Sequence, residues 1–219
     1  KELKSGANQT VFIEFKDDGA GVFKPKSGEA NLRNGVERGT YYKRERAAYL
    51  ADRFLGFGLV PPTVIRAVDG KIGSVQQFIP DAEEGAAIPR VHLQDKYKPQ
   101  LAMMWIFDLM INNSDRHSGN FLVKDDKIYA IDNGLSFGND DPYTYGDFGG
   151  ALLPEDLIEK IIQFKDKSQE RLLLTDLLAE LMPEKEVAGF FWRLDAITDL
   201  VAEKQYLSRH DVLLIQSVK

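Results

Sequence analysis

Apolar and polar residues alternate at the start of the chain, recur at helical spacing in its middle, and repeat helically to its end. Thr10–Phe15 is β-branched and aromatic, Asp17-Asp18-Gly19 supplies a turn, and Gly21–Lys24 is apolar again, which predicts a β-hairpin. From Gly39 to Gly56, Tyr42, Ala47, Tyr49, Leu50, Phe54 and Leu55 recur at mixed three- and four-residue spacing, which predicts an amphipathic helix ending at Gly56. Leu59–Ala67, broken by Pro61-Pro62, and Gly73–Ile79 read as two more strands. Residues 80–98 are polar, contain Pro80, Gly85 and Pro89, and are expected to be a linker. Pro99 is expected to open a buried helix, because Leu101–Ile111 is apolar on nearly every side. Phe121–Lys124 and Ile128–Ile131 flank the turn Asp125-Asp126 as a second hairpin. Beyond Pro154 the pattern predicts helices over Glu155–Phe164, Arg171–Leu181, Glu184–Glu203 and Asp211–Ser217, the last with Ser208 as N-cap. The expected fold is α+β and bilobal: a small β-rich N-lobe with one main helix (residues 1–79) and a mostly helical C-lobe (residues 80–219).

Composition narrows this picture. With 219 residues, 43% hydrophobic and 28% charged, the chain is ordinary globular material with core enough to fold without staples. The lack of cysteine excludes a disulfide scaffold, thiolate metal sites and a cysteine nucleophile, and it fits a reducing compartment. No apolar run approaches about 18 residues, so no transmembrane segment is expected. No signal peptide is visible, although a chain that begins at Lys1 leaves a trimmed leader open. A net charge of −6 argues against nucleic acid as a partner. That charge is divided: residues 1–79 hold 13 Lys/Arg and 9 Asp/Glu, net +4, and residues 80–219 hold 15 and 25, net −10. The division is either scatter on solvated faces or the mark of two lobes with different surfaces, one of them suited to anionic ligands.

The chemistry concentrates after the buried helix, in Asn112-Asn113-Ser114-Asp115-Arg116-His117-Ser118-Gly119-Asn120 and, beyond the hairpin, Asp132-Asn133-Gly134. The open ends of that hairpin are Asn120 and Asp132, so the two side chains should lie close together. An amide oxygen beside a carboxylate suits a hard cation such as Mg²⁺. Asp115, on the loop leading in, could orient a hydroxyl nucleophile and accept its proton. This is the template of phosphoryl transfer, which needs metal, a carboxylate for the incoming hydroxyl and a cation on the non-reacting phosphates. Lys24, just before Pro25 at the end of a hairpin strand, could supply that cation, with Glu45 on the lobe's helix as its ion-pair partner. Backbone N–H groups of the small polar loop Ser5-Gly6-Ala7-Asn8-Gln9-Thr10 could cover phosphates. The extended backbone of Gln77, Phe78 and Ile79 could hydrogen-bond adenine.

Together these residues resemble the phosphatidylinositol 3-/4-kinase-like branch of the protein-kinase superfamily, most closely the type II phosphatidylinositol 4-kinases and their bacterial relatives. The matching strings are Gly21-Val22-Phe23-Lys24-Pro25-Lys26, Glu45 in its helix, Leu59-Val60-Pro61-Pro62-Thr63, Gly73-Ser74-Val75-Gln76-Gln77-Phe78, Asp115 through Asn120, and Ile131-Asp132-Asn133-Gly134-Leu135-Ser136-Phe137. HipA-type toxin kinases share similar catalytic residues, but the Phe-Lys-Pro-Lys and Asp-Asn-Gly-Leu-Ser-Phe strings favour the phosphoinositide-kinase side. The resemblance implies a bilobal kinase fold with ATP and Mg²⁺ (or Mn²⁺) between the lobes. It implies Lys24 on the phosphates supported by Glu45, Asp115 as catalytic aspartate, and Asn120 and Asp132 as metal ligands. For His117 it leaves open a share in the base role, stabilisation of the transferring phosphoryl group, or a loop-stabilising hydrogen bond.

Two departures bear on the acceptor. The type II lipid kinases carry a cysteine-rich palmitoylated insert, and this chain has no cysteine. From Ile128 to Glu159 there is no Lys or Arg but seven acids, which would repel a phosphoinositide headgroup on an anionic membrane. Tyr143, Tyr145 and Phe148 among acidic neighbours better suit a peptide, especially a basic one. The expected activity is therefore transfer of the γ-phosphate of ATP to a protein Ser/Thr hydroxyl. The alternatives are a phosphatidylinositol 4-kinase and a nucleotide-binding pseudokinase that serves as an interaction module. Arg33, Arg38, Lys43, Arg44, Arg46 and Arg53 form either a solvated helix face or a site for an anionic regulator. A cytoplasmic location is expected, or delivery into a host cell for a bacterial effector. Consistent with it, the glycosylation-like triplets Asn8-Gln9-Thr10 and Asn112-Asn113-Ser114 both lie beside expected catalytic loops.

Overall fold

The computed structural model describes residues 2–3, 8–16, 19–30, 35–139, 142, 146, 148 and 150–217. It is a mixed α/β fold with a small sheet lobe and a helical lobe. Strands β1 (Glu2–Leu3), β2 (Thr10–Glu14), β3 (Ala20–Pro25), β4 (Thr63–Val68) and β5 (Lys71–Gln77) form an antiparallel sheet in the order β1-β2-β3-β5-β4. The hairpin registers Phe12 with Val22 and Val11 with Phe23, which puts Val22, Lys24, Ser74 and Gln76 on one face.

Helix α1 (Tyr41–Leu55) packs against β4 and β5. It ends as its sequence predicts, at Gly56 with φ 78°, the left-handed C-cap where a Cβ would be strained. At its start the Thr40 side chain makes no cap bond. Glu29 acts instead, taking the N–H of Gly39 at 2.5 Å and that of Tyr42 at 3.0 Å. A carboxylate here satisfies unpaired helix N–H groups and complements the helix dipole.

Helix α2 (Arg90–Met110) corrects one expectation. It begins at Arg90, so residues 90–98 are helix rather than linker, and Pro99 lies inside it. Only Leu93 and Tyr97 of those nine are buried, a stripe of one residue per turn inside a polar surface. Pro99 sits exposed and forgoes one helical bond, which the packing of the rest of α2 sustains. Two short strands also lay outside the sequence pattern: β1, and β6 (Glu83–Glu84), which pairs with β7 (Phe121–Lys124). Strand β8 (Lys127–Ala130) closes the second hairpin through Asp125 and Asp126, both left-handed at φ 48° and 60°, the geometry that a two-residue turn requires.

Helices α3 (Glu155–Asp166), α4 (Ser168–Ala179), α5 (Glu184–Lys204) and α6 (Arg209–Ser217) complete the chain close to their expected positions. One continuous core joins α1, α2, the β7–β8 hairpin and α3 to α6. Helix α1 is thus anchored in the core of the helical lobe as well as on the sheet. No helix among the described residues is long and apolar enough to cross a membrane.

Candidate active site

The site is built on a buried polar hub. Asp108 is the single charged residue of the apolar stretch Leu101–Ile111, and it pairs with Arg116, both side chains having no exposed surface. Arg116 Nε donates to Asp108 Oδ2 at 2.9 Å and Nη2 to Oδ1 at 3.0 Å. The remaining guanidinium donors bond Asn120 O, Ile131 O at 2.6 Å and Asn133 Oδ1 at 2.5 Å. Burial pushes the Asp108 carboxyl upward and the Arg116 charge opposes it. One guanidinium therefore ties together the loop after α2 and both ends of the β7–β8 hairpin. Asn113 extends the hub, donating to Asp108 Oδ1 at 3.0 Å and accepting the Asp115 N–H at 3.0 Å.

On this hub Asp115, His117, Asn120 and Asp132 line one cavity of about 400 Å³ with Lys24, Glu45, Asn8 and Thr10. Asn120 Nδ2 donates to Asp115 O at 2.8 Å, so its Oδ1 is the atom left to ligate. Asp132 is left-handed at φ 56°, a conformation that aspartate tolerates at some cost and that functional sites often hold. Lys24 Nζ donates to Glu45 Oε1 at 2.5 Å and also to Asp132 Oδ1. Burial acts to depress the lysine, but the two carboxylates outweigh it and hold the ammonium above its ordinary pKa. For Asp132, enclosure acts upward and the Lys24 charge prevails, so the carboxyl lies below its usual range. Glu45 Oε2 accepts the Asn133 N–H at 3.1 Å, joining α1 to the segment after β8. His117 is exposed, and its Nδ1 accepts the Gly119 N–H at 3.1 Å. The neutral ring then carries its proton on Nε2.

Other expected residues fall differently. Ser5 and Gly6 lie outside the described residues, as do Arg33, Tyr143 and Tyr145. Asn8 lines the cavity while its Oδ1 accepts the Ala30 N–H at 2.7 Å. The hinge expectation needs correction: the N–H of Gln77 bonds Pro62 O at 2.8 Å and that of Phe78 bonds Ala20 O at 3.0 Å. Neither donor is left for a base, and the Phe78 ring packs edge-on to Phe12. Strand β5 ends at Gln77, so Phe78 and Ile79 lie beyond the ladder. The basic cluster also divides. Arg44 is buried, bonding Ser136 O at 2.6 Å and Glu186 Oε1 at 2.9 Å. Arg46 bonds Thr63 O at 2.6 Å and stacks over Tyr49. Both are structural, because a helix packed between sheet and core gives its inward arginines internal partners. Arg116, Asp108 and Glu29 were not singled out by the sequence reading, although a lone aspartate in an otherwise apolar helix was a signal that a buried cation stood opposite.

The model of the family described as phosphatidylinositol 3- and 4-kinase matches residues 34–184, more than half of the chain. The chain belongs to that family. The phosphatidylinositol 3- and 4-kinase match takes in Glu45 and the whole Asp108–Asp132 hub. Among curated relatives, Protein Rv2133c of Mycobacterium tuberculosis is 32% identical over 147 residues, 52% of each chain. Phosphatidylinositol 4-kinase gamma 8 of Arabidopsis thaliana is 27% identical over 195 residues, 78% of this chain and 34% of that one. The chain thus spans about half the length of the mycobacterial relative and about a third of the plant one. The Golgi casein kinase solved with Mn and ADP bound superposes with a TM-score of 0.60 at 19% identity, covering 92% of this chain and 71% of that one. The Helicobacter pylori proinflammatory kinase CtkA gives 0.55 at 13% identity, covering 98% and 94%. At such identities these likenesses show the kinase fold alone.

Proposed function

We propose that this chain is an ATP- and Mg²⁺-dependent phosphotransferase that moves the γ-phosphate to a hydroxyl acceptor. The observation that carries this is the Lys24 ammonium held by Glu45 and Asp132 in one cavity with Asp115 and Asn120. In this reading residues 1–79 form the nucleotide lobe and residues 80–219 the acceptor lobe.

The donor set fits a hard cation. Asp132 is an ionised carboxylate whose side chain is 44% exposed, and Asn120 keeps a free amide oxygen. Among the described residues no group of three or more His, Asp or Glu side chains forms a closed cage, so these two would hold Mg²⁺ and phosphate oxygens would complete its shell. Held by Asp132 and Asn120, Mg²⁺ would supply charge neutralisation on the phosphates. Lys24 exchanges its bond to Asp132 for phosphate oxygens while Glu45 keeps it in place. Asp115 orients the acceptor hydroxyl and takes its proton. The acceptor oxygen bonds the γ-phosphorus as the bond from that phosphorus to the β–γ bridging oxygen breaks, leaving ADP. His117, protonated at Nε2, donates to an oxygen of the transferring group.

The acceptor we assign is a Ser/Thr hydroxyl of protein, because residues 128–159 carry seven acids and no Lys or Arg. A phosphoinositide acceptor is the second reading, favoured by the plant phosphatidylinositol 4-kinases among the relatives. Label from γ-labelled ATP should reach a basic protein in preference to phosphatidylinositol vesicles, with Asp132→Asn as the blank. Label in lipid alone selects the second reading. Nucleotide binding without transfer to any acceptor favours an interaction module.

A further inference from the structure

Lys26, Arg38 and Lys71 line a second cavity of about 480 Å³ that shares none of the described residues with the Lys24–Asp132 cavity. The three cations come from separate stretches: the 3-10 turn after β3, the approach to α1, and the first residue of β5. The pairing of Pro25 with Gly73 brings the first and last together. None of the described lining residues is acidic, and Ser27, Gly39 and Gly70 add a hydroxyl and glycine backbone. Neither lysine forms an ion pair among the described residues, and Arg38 uses only Nε, on Glu29 O at 2.7 Å. Three exposed cations around one hollow repel one another, in a chain whose net charge is −6. Gly39 is part of the construction: at φ 90° it suits no side chain, and a Cβ there would stand 3.2 Å from Lys26 Cε.

We propose that this cavity binds a multiply phosphorylated anion. Lysines supply point charges and the Arg38 fork can take two oxygens of one phosphate, so clustered phosphates match it better than a single carboxylate. Occupation has a direct line to α1. Arg38 holds the Glu29 carbonyl, and the Glu29 carboxylate holds the N–H groups of Gly39 and Tyr42 at the start of the helix that carries Glu45. A bound anion stiffens that entry. Binding itself is independent of phosphoryl transfer, and only the effect on Glu45 rests on the kinase reading.

The test is titration calorimetry of the whole chain with inorganic tripolyphosphate, beside sedimentation with phosphatidylcholine vesicles that carry a phosphatidylinositol phosphate. Wild type and Lys24→Ala should bind one of these probes, and Lys26→Glu/Lys71→Glu should bind it at least about tenfold more weakly with an unchanged thermal melt. Lys71→Gln alone, on an exposed strand end, should show a smaller loss in the same direction. Uptake of tripolyphosphate identifies a soluble ligand, and uptake of vesicles alone identifies a lipid headgroup. The proposal fails if wild type binds neither probe, or if Lys24→Ala loses binding while the double reversal keeps it.

Discussion

Lys24 on the sheet and Glu45 on α1 meet at 2.5 Å, and Glu45 spends its second oxygen on the N–H of Asn133. One carboxylate therefore sets the lysine and the backbone beside Asp132 at the same time. Sheet, helix and hairpin come into register through it. The anchoring continues in both directions along α1. Arg44, the preceding residue, bonds Ser136 O and Glu186, while Asp52, two turns on, accepts the Leu59 N–H, and Leu59 O in turn accepts the Ala130 N–H of β8.

Glu45→Gln keeps the size of the side chain and removes its charge. A charge-assisted bond of this kind contributes about 1.5–3 kcal/mol. Phosphate transfer should fall by about 10- to 100-fold, measured as initial rate at saturating ATP. Circular dichroism should show the fold retained.

Breaking the hub should cost stability first. Arg116→Met leaves Asp108 buried without its partner, a loss of about 3–5 kcal/mol in denaturant unfolding. The double variant Asp108→Leu/Arg116→Met removes both charges and should recover part of that loss. If the single variant unfolds at the wild-type midpoint, the pair is not the anchor described here.

Asp52 should tilt stability against pH. Burial raises its carboxyl to about 6, against an opposing bond from the Leu59 N–H. The unfolded chain releases this proton near pH 4 and the folded chain holds it to about pH 6, so stability falls as pH rises through that window. The Asp52 contribution to that fall is about 3 kcal/mol at most. Asp52→Asn should flatten the slope and gain stability at pH 7, read from urea midpoints across the range.

The start of α6 should behave in the opposite sense. Ser208 Oγ and the Asp211 carboxylate cap each other's backbone N–H groups at 3.2 and 2.9 Å, and the Ser208 bonds with the Lys204 charge hold Asp211 at about 2. Its contribution is complete above about pH 4 and is lost as pH falls through 2. Ser208→Ala should cost about 1 kcal/mol at neutral pH and a smaller amount at pH 2, measured by thermal unfolding.

Much of this was legible in the sequence where local rules govern. The two hairpins, α1 with its Gly56 stop, and the Ser208 cap follow from turn and capping chemistry acting over a few residues. Pro99 misled because a proline that favours a first turn can also sit on the exposed side of a longer helix whose buried stripe is only Leu93 and Tyr97. Strands β1 and β6, two residues each, exist through their partners and leave no periodicity to read. Lys24, Glu45, Asp115, Asn120 and Asp132, which line one cavity, were legible as a set because each carries a group that the phosphoryl-transfer template calls for. Arg116 and Glu29 were not, since their partners lie in other elements. The basic run from Arg38 to Arg46 shows the same limit: the facing of α1, invisible in charge counts, turned Arg44 inward, while Arg38, before the helix, lies beside Lys26 and Lys71.

The central claim is that the cavity around Lys24, Asp115 and Asp132 transfers phosphate, and Asp115→Asn tests it most directly. The variant keeps the shape of the side chain and removes the group that takes the hydroxyl proton. The rate of γ-phosphate transfer from labelled ATP should fall by about 10²- to 10⁴-fold, with nucleotide affinity retained. Transfer by Asp115→Asn at the wild-type rate would contradict the account.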